Sequence, residues 1–186
     1  AKSERSLGFD AITVVRSTYL ITNQFDLVIS DLTRGNRALE LLITHTLFLW
    51  VCCTADRVHA YTDGGFLPVH QRFMFNRLEL FCYRVLGVKL FIWTYGADVR
   101  IKSTTIALGE PNCCSDCTQV GVACVCDNAL QGRAYAQVIS VAKAVFSMGD
   151  MIEYTPGSRN NLFFWPIDFS LDQGTRYQPI YPDGDV

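Results

Sequence analysis

The chain has 186 residues, 49% hydrophobic and 12% aromatic, a composition typical of a globular core rather than of a disordered chain. Its 16 basic and 18 acidic residues are mixed along the sequence, giving a formal net charge of −2 that argues against a nucleic-acid partner. The longest apolar stretch, Leu39–Cys53, is interrupted by Glu40, Thr44, His45 and Thr46, which argues against a membrane span.

The first residues are typical of the last turns of a helix, with Gly8 as its C-terminal stop. We therefore expect the first strand of the fold to precede residue 1. A β-branched run over Asp10–Arg16 then predicts a strand. A helix is predicted over residues 37–53, capped by Asn36. Its expected core stripe contains Leu39, Leu42, Ile43, Leu47, Trp50 and Val51.

A second strand is predicted over Arg57–Tyr61, ending at Asp63-Gly64-Gly65. The next helix is predicted over residues 69–86, and Gly87 closes it. Its expected inner face contains Met74, Leu78, Phe81 and Val85, and its outer face Arg72, Asn76 and Glu79.

The rest of the chain continues the alternation of strands and helices. Val88–Thr94 predicts a buried strand. The later predicted elements are a helix over 128–142, a strand over Ala144–Met148, a short helix opened by Asp150, and a last strand over Asn161–Trp165. This order predicts an α/β fold, a Rossmann-like doubly wound parallel sheet with helices on both faces. The domain would cover residues 1–178, with a linker over 179–186.

Ligands of such sheets bind at the carboxyl ends of the strands, which here are Tyr61–Gly65, Tyr95–Arg100 and Ser147–Asp150. Within the second of these, Gly96 permits close approach of a ligand, Asp98 can accept hydrogen bonds from hydroxyls, and Arg100 can grip an anion. The alternative is a structural turn in which Asp98 caps the following segment and Arg100 is its salt-bridge partner.

His59 and Tyr61 lie on the second predicted strand and are candidates for the same site. The alternative for His59 is a half-buried strand histidine that is satisfied by a backbone carbonyl. Phe163, Phe164 and Trp165 could form an aromatic wall, but a buried parallel strand also accounts for them.

A cysteine-rich loop spans residues 109–128 and contains five of the eight cysteines. The Cys114-x2-Cys117 spacing places two thiolates within reach of one ion, and Cys124 and Cys126 complete a tetrahedral set for structural zinc. Cys113 is a spare ligand. An Fe–S cluster and free or disulfide-linked cysteines remain alternatives.

Several segments together resemble GT-B type glycosyltransferases. Val88–Arg100 resembles the strand that ends in a His/Tyr-Gly-Ser/Ala-Asp-x-Arg turn, and Ala144–Gly157 resembles a strand and short helix before a Pro-Gly turn. Asn161–Asp168 resembles the connection to the second domain, and Ser6–Ala11 the end of the first helix. Tyr95 stands where many relatives have His, and a tyrosine with a pKa near 10 is a poor general base.

The resemblance implies that the chain is the N-terminal, acceptor-side domain of a nucleotide-sugar-dependent glycosyltransferase. The first strand would precede the chain, and the domain that binds the nucleotide-sugar donor would follow it. The residues expected to bind the acceptor are His59, Tyr61, Tyr95, Gly96, Asp98 and Arg100. No catalytic residue is assigned, and we expect the isolated chain to be inactive.

Two other classes of function fit the same sequence: a stand-alone flavodoxin-like module that binds a sugar or nucleotide, and a zinc-stapled interaction domain. The expected partner of the transferase is a glycan or glycolipid acceptor. The cysteine usage favours a cytoplasmic protein. A role at the inner face of the membrane stays open, although no amphipathic basic helix is evident in the sequence.

Overall fold

The computed structural model describes residues 2–18, 25–62, 64–69, 74–96, 98–112, 114–115, 117 and 128–160. In this part of the chain, the strands of two parallel sheets alternate with helices, which confirms the predicted Rossmann-like α/β class. The predicted last strand, Asn161–Trp165, and the predicted linker lie outside the described residues, as does most of the cysteine-rich loop.

The strands form one sheet of two and one of four, every neighbouring pair being parallel. The strands are β1 (Val14–Val15), β2 (Leu27–Val28), β3 (Arg57–Tyr61), β4 (Lys89–Trp93), β5 (Ala144–Ser147) and β6 (Arg159–Asn160). β1 pairs with β2, and β3 to β6 follow one another in chain order across the larger sheet. Crossovers between parallel strands are right-handed. Because each strand of the larger sheet is added on the same side of the one before it, the connecting helices lie on the same face of the sheet.

Six α-helices and one 3-10 helix lie in the described part of the chain. They are α1 (Lys2–Ser6), α2 (Ile29–Thr33), α3 (Arg37–Thr54), α4 (Arg77–Leu86), α5 (Lys102–Ala107), α6 (Asn128–Ile139) and the 3-10 helix Gly149–Tyr154. α1 ends before Gly8, whose φ is 86°, as the sequence predicted.

Asparagines start the two helices that pack beside β3 and β4. The Asn36 side chain accepts hydrogen bonds from the backbone N–H groups of Ala38 and Leu39, which confirms the predicted cap of α3. α4 begins at Arg77 rather than at residue 69, because the Asn76 side chain accepts from the Leu78 N–H and caps the helix there.

The main core lies on one face of the larger sheet. Leu90 and Ile92 of β4 and Val145 of β5 point into it and are almost fully buried. Three helices supply five of its other buried side chains, namely Phe48 and Val51 of α3, Leu80 and Tyr83 of α4, and Val138 of α6. The connecting segments supply Leu67, Phe75 and Val88. α3, α4 and α6 therefore cover the same face of the sheet.

The predicted inner faces of α3 and α4 are wrong in large part. On α4, Leu78, Phe81 and Val85 point outward, while Glu79, which was expected outside, is fully buried. On α3, the outward side chains include Leu42 and Trp50 of the expected stripe, and the buried ones are Thr44, Phe48 and Val51. Both helices are apolar on more than one side, so the pattern alone did not identify which side faces the sheet.

The opposite face of the larger sheet carries a row of aromatic rings. The ring centroids of Phe91 and Phe146 lie 6.3 Å apart, and those of Trp93 and Phe146 lie 4.6 Å apart. The N-terminal stretch reaches this face, where the Arg57 guanidinium lies 5.6 Å from the centre of the Phe9 ring. The cation and the ring attract each other in that geometry.

Candidate functional site at the carboxyl edge of the sheet

β3, β4 and β5 end level with one another, since Tyr61 is in register with Trp93 and Trp93 with Phe146. A buried hydroxyl follows each strand or ends it. Thr94 donates to the Ser147 Oγ at 3.1 Å, and Ser147 and Thr155 share a hydrogen bond of 2.8 Å. These bonds join the ends of β4 and β5 to the Pro-Gly turn that follows the 3-10 helix.

Asp98 holds the turn after β4 from beneath. It is only 1% exposed, and its Oδ1 accepts hydrogen bonds from the backbone N–H of Tyr95 at 3.1 Å and of Gly96 at 2.8 Å. Its Oδ2 accepts from the Thr62 hydroxyl at the end of β3. Burial raises the pKa of Asp98, and these hydrogen bonds act against that rise. The Asp98 carboxyl group therefore stabilises the turn from its inner side. Other residues form the outer surface of the turn.

Gly96 occupies a backbone conformation that side chains disfavour, with φ at 121°. A Cβ at this position would lie 3.7 Å from the Arg100 Nη1 and 3.8 Å from the Met151 Sδ, which is ordinary van der Waals contact. The backbone conformation, and not lack of space, therefore explains the glycine. Its carbonyl accepts from the Arg100 N–H at 2.9 Å and closes the turn.

Arg100 reaches across to the segment that follows β5. Its Nη2 donates to both carboxylate oxygens of Asp150, at 2.9 and 2.8 Å, with both side chains about half exposed. The structural alternative drawn from the sequence holds in part: Asp98 stabilises the turn, through the backbone N–H groups of Tyr95 and Gly96 rather than of the following segment. The expected salt bridge between Asp98 and Arg100 is wrong, because Asp98 is turned inward and Arg100 pairs with Asp150. The Arg100–Asp150 pair presents a cation and an anion side by side at the surface.

Tyr61 and Tyr95 form the aromatic part of this edge. Their ring centroids lie 5.5 Å apart in an edge-to-face arrangement, and the residues are 42% and 45% exposed. Burial raises the pKa of Tyr61, with the nearby Asp98 carboxylate adding to the rise. The pair keeps polar hydroxyls and apolar ring surface together at the ends of β3 and β4.

His59 lies within β3, two residues before Tyr61, so the two side chains lie on the same face of the sheet. Its ring stacks on Phe91 at 4.8 Å, and the Trp93 Nε1 donates to its Nδ1 at 3.1 Å. Burial lowers the pKa of His59, and because the indole N–H can only donate, Nδ1 is the acceptor nitrogen of the ring. The expected partner, a backbone carbonyl, is wrong because the Trp93 side chain supplies the bond.

The predicted zinc loop is described only in part. Cys114 and Cys117 are half-buried, whereas Cys113, Cys124 and Cys126 lie outside the described residues. The Asn112 side chain accepts from the backbone N–H of Cys114 and Ser115, which forms a turn at the first of the two described cysteines. Within the described ranges, no group of three or more His, Cys, Asp or Glu side chains gathers as a metal site would. Zinc stays a prediction.

A cleft of about 310 Å³ opens beside the carboxyl end of β3, between the start of α3 and the loop before α4. Its lining includes Arg16, Arg37, Glu40, Leu41, Leu67 and Met74, none of which the sequence analysis had proposed as a site residue. Arg16 pairs with Glu40 at 3.4 Å.

Glu79 anchors the loop that forms one wall of this cleft. Its carboxylate accepts hydrogen bonds from the backbone N–H of Phe66 at 3.0 Å and of Leu67 at 2.9 Å, and from the Tyr83 hydroxyl at 2.8 Å. A Cβ on Gly65 would lie 2.8 Å from this carboxylate, so the glycine allows the close approach. Sequence reasoning missed the role of Glu79, although its i,i+4 spacing to Tyr83 offered a signal.

The comparisons with family models, curated proteins and solved structures give no match to this chain.

Proposed function

We propose that the chain is the acceptor-side domain of a nucleotide-sugar-dependent glycosyltransferase. The ordered resemblance of four segments to GT-B type enzymes supports this assignment, as does the parallel sheet, whose carboxyl edge is where such folds bind ligands. The nucleotide-sugar donor would be held by a second domain. In this proposal the acceptor is a hydroxyl-bearing glycan or glycolipid.

The observation that carries the proposal is the exposed pair Tyr61–Tyr95, whose Tyr95 belongs to the same turn as Arg100 of the ion pair Arg100–Asp150. Aromatic rings offer flat apolar surface to the C–H face of a sugar, and a carboxylate beside a guanidinium offers an acceptor and donors to neighbouring hydroxyls. Asp98 holds the Tyr95–Arg100 turn in place, so the site is pre-formed.

This half would position the acceptor and exclude water when the two domains close. The proposal gives Asp98 and Gly96 a positioning role, and gives substrate contact to Tyr61, Tyr95 and Arg100. His59 lies further from the carboxyl edge of the sheet. In this proposal it supports Tyr61 through the row of aromatic rings on the same face of the sheet. The chemical step would need the donor domain, so the isolated chain should show no transfer, and measurable transfer by it would contradict the proposal.

Ligand-detected NMR on this chain tests the proposal with two probe sets: neutral oligosaccharides and nucleotide sugars. Oligosaccharides should bind and nucleotide sugars should not. Tyr95→Ala should weaken saccharide binding about three- to tenfold, which corresponds to losing about 0.5–1.5 kcal/mol of aromatic contact. Ile106→Ala, at an exposed apolar position on α5, is the matched control and should bind as wild type does.

A stand-alone binding module is the second candidate for the same edge. Binding of nucleotides but not of saccharides in this experiment would favour that flavodoxin-like module over the transferase. For the zinc-stapled interaction domain, elemental analysis of the purified protein decides. About one equivalent of zinc supports a site at Cys114, Cys117, Cys124 and Cys126, and no zinc removes it.

A further inference from the structure

The outer face of α4 is more apolar than a water-facing helix requires. Leu78, Phe81, Val85 and Leu86 are between 57% and 64% exposed. The helix cannot rotate to hide them, because Glu79 and Tyr83 on its inner side are fully buried and hydrogen-bonded to each other. Turning the outer side of α4 inward would break the two hydrogen bonds that the Glu79 carboxylate accepts from the backbone N–H groups of Phe66 and Leu67.

α3 extends this surface beside α4. The two helices pack in one layer, with the rings of Phe48 and Tyr83 6.1 Å apart. The outward side chains Leu42, Leu49 and Trp50 of α3 are 42% to 63% exposed. We call the outward side chains of both helices the α3–α4 outer face. Large apolar side chains exposed on two helices that pack side by side are typical of an interaction site.

By length and composition alone, α3 is apolar enough to cross a membrane, and 17% of it is buried. Its side chains Thr44, Phe48 and Val51 nevertheless pack towards the sheet, and β3 begins at Arg57, shortly after α3 ends. The helix therefore lies along the sheet, with its other side outward. An orientation of that kind suits a helix that rests on an interface rather than one that spans a bilayer.

The charges of the outer face favour one occupant. Arg77 and Arg84 are exposed and flank Phe81 and Val85 on α4, whereas Glu79, the only acidic residue of that helix, is buried on its inner side. α3 carries no charged residue from Leu41 to Thr54. Two copies of the chain packed through this face would bring like charges together. A bilayer with anionic headgroups supplies both apolar depth and the opposite charge.

We propose that the α3–α4 outer face docks the protein on an anionic lipid surface, with both helices lying in the interfacial layer. Leu78, Phe81, Val85 and Trp50 enter the headgroup–acyl boundary, and Arg77 and Arg84 contact lipid phosphates. This inference is independent of the proposed glycosyl transfer, since none of these residues belongs to the carboxyl-edge site.

Vesicle flotation tests this inference with two compositions: phosphatidylcholine alone, and seven parts phosphatidylcholine to three parts phosphatidylglycerol. The chain should float with the anionic vesicles and bind the neutral ones more weakly, by about fivefold for each arginine that contacts a headgroup. Raising the salt concentration should weaken binding to the anionic vesicles.

Two variants separate the apolar and the charge contributions. Phe81→Ser combined with Val85→Ser should abolish flotation with both vesicle types, and Arg84→Glu should reduce binding to the anionic vesicles alone. The matched controls are Ile106→Ser, exposed on α5, and Lys89→Glu, exposed on the face of the sheet opposite to α3 and α4, both of which should bind as wild type does. Far-ultraviolet circular dichroism and the urea midpoint verify that each variant is folded.

Three results would overturn the inference. The first is a wild-type chain that floats with neither vesicle composition. The second is unchanged flotation of the Phe81→Ser, Val85→Ser variant while it is folded. The third is a stable dimer in analytical ultracentrifugation that this double variant dissociates, which would show that a second copy covers the outer face.

Discussion

Asp98 shows how a single carboxyl group can shape a site without facing it. Its two oxygens join the turn after β4 to the end of β3, through Thr62 on one side and two backbone N–H groups on the other. This turn carries Tyr95 and Arg100 at the surface. Replacing Asp98 therefore changes the site by releasing the turn, and its effect on stability can be measured separately.

Asp98→Asn should destabilise the protein less than Asp98→Ala. The Asn side-chain oxygen can still accept from the Tyr95 and Gly96 N–H groups, and its amide can donate to the Thr62 oxygen. Asp98→Ala leaves these buried groups without partners, at a cost of about 1–3 kcal/mol. Urea unfolding followed by circular dichroism measures both. Equal losses for the two variants would show that the hydrogen bonds do not hold the turn.

Glu79 should make stability depend on pH. Burial raises its pKa, and the hydrogen bonds from Leu67, Phe66 and Tyr83 offset part of that rise. Because the folded protein binds this proton more tightly than the unfolded chain, the stability linked to it is fully present below about pH 4.5 and is lost as pH rises through the folded pKa.

Urea unfolding of wild type and Glu79→Gln from pH 4 to pH 8 measures this linkage. Wild type should exceed the variant in unfolding free energy most at the acidic end, and the difference should shrink towards pH 8. Glu153→Gln, at an exposed position of the 3-10 helix, is the control and should leave the pH profile unchanged. A difference that grows with pH would contradict the assigned direction.

At the scale of single elements, polar caps set where the helices begin. Asn36 satisfies two backbone N–H groups at the start of α3, and Asn76 satisfies one at the start of α4. Asn76 also donates to the Pro68 carbonyl at 2.8 Å, which ties the preceding loop to the helix. Asn76 therefore both caps α4 and holds the loop that precedes it.

Asn36→Ala should lower the unfolding free energy by about 1 kcal/mol, because the first N–H groups of α3 lose their acceptor. Asn36→Asp should keep the cap and remain within about 0.5 kcal/mol of wild type. Thermal and urea unfolding of the three proteins under one buffer gives the comparison. A stable Asn36→Ala variant would mean that packing alone fixes the start of the helix.

At the scale of the whole molecule, the core on one face of the sheet should dominate stability. Ile92 in the central strand β4 is fully buried, so Ile92→Ala should cost about 2–5 kcal/mol. Leu42 is 63% exposed on α3, so Leu42→Ala should change stability by less than about 0.5 kcal/mol. Denaturant unfolding measures both changes in unfolding free energy. A large loss of stability for Leu42→Ala would show that this side of α3 faces the core.

The sequence by itself determined the class of fold and most of the elements. Strand-length runs such as Arg57–Tyr61 and Val88–Thr94, together with the Asn36 cap of one helix and the Gly87 stop of the next, predict a parallel α/β sheet and therefore its functional edge. Those signals are local, since caps, stops and apolar runs act over a few residues. The short strands β2 and β6 and the helix α5 lacked such signals and were not predicted.

Only the tertiary structure decided which side of each helix faces the sheet and which charged groups meet. α3 and α4 are apolar on several sides, so the fit of Phe48, Leu80 and Tyr83 against β4 chose the inner side. Asp98 was placed inward and Arg100 was paired with Asp150, fifty residues away, by the parallel register that brings β4 beside β5. Long-range packing and partner choice depend on the whole fold, which no local pattern contains.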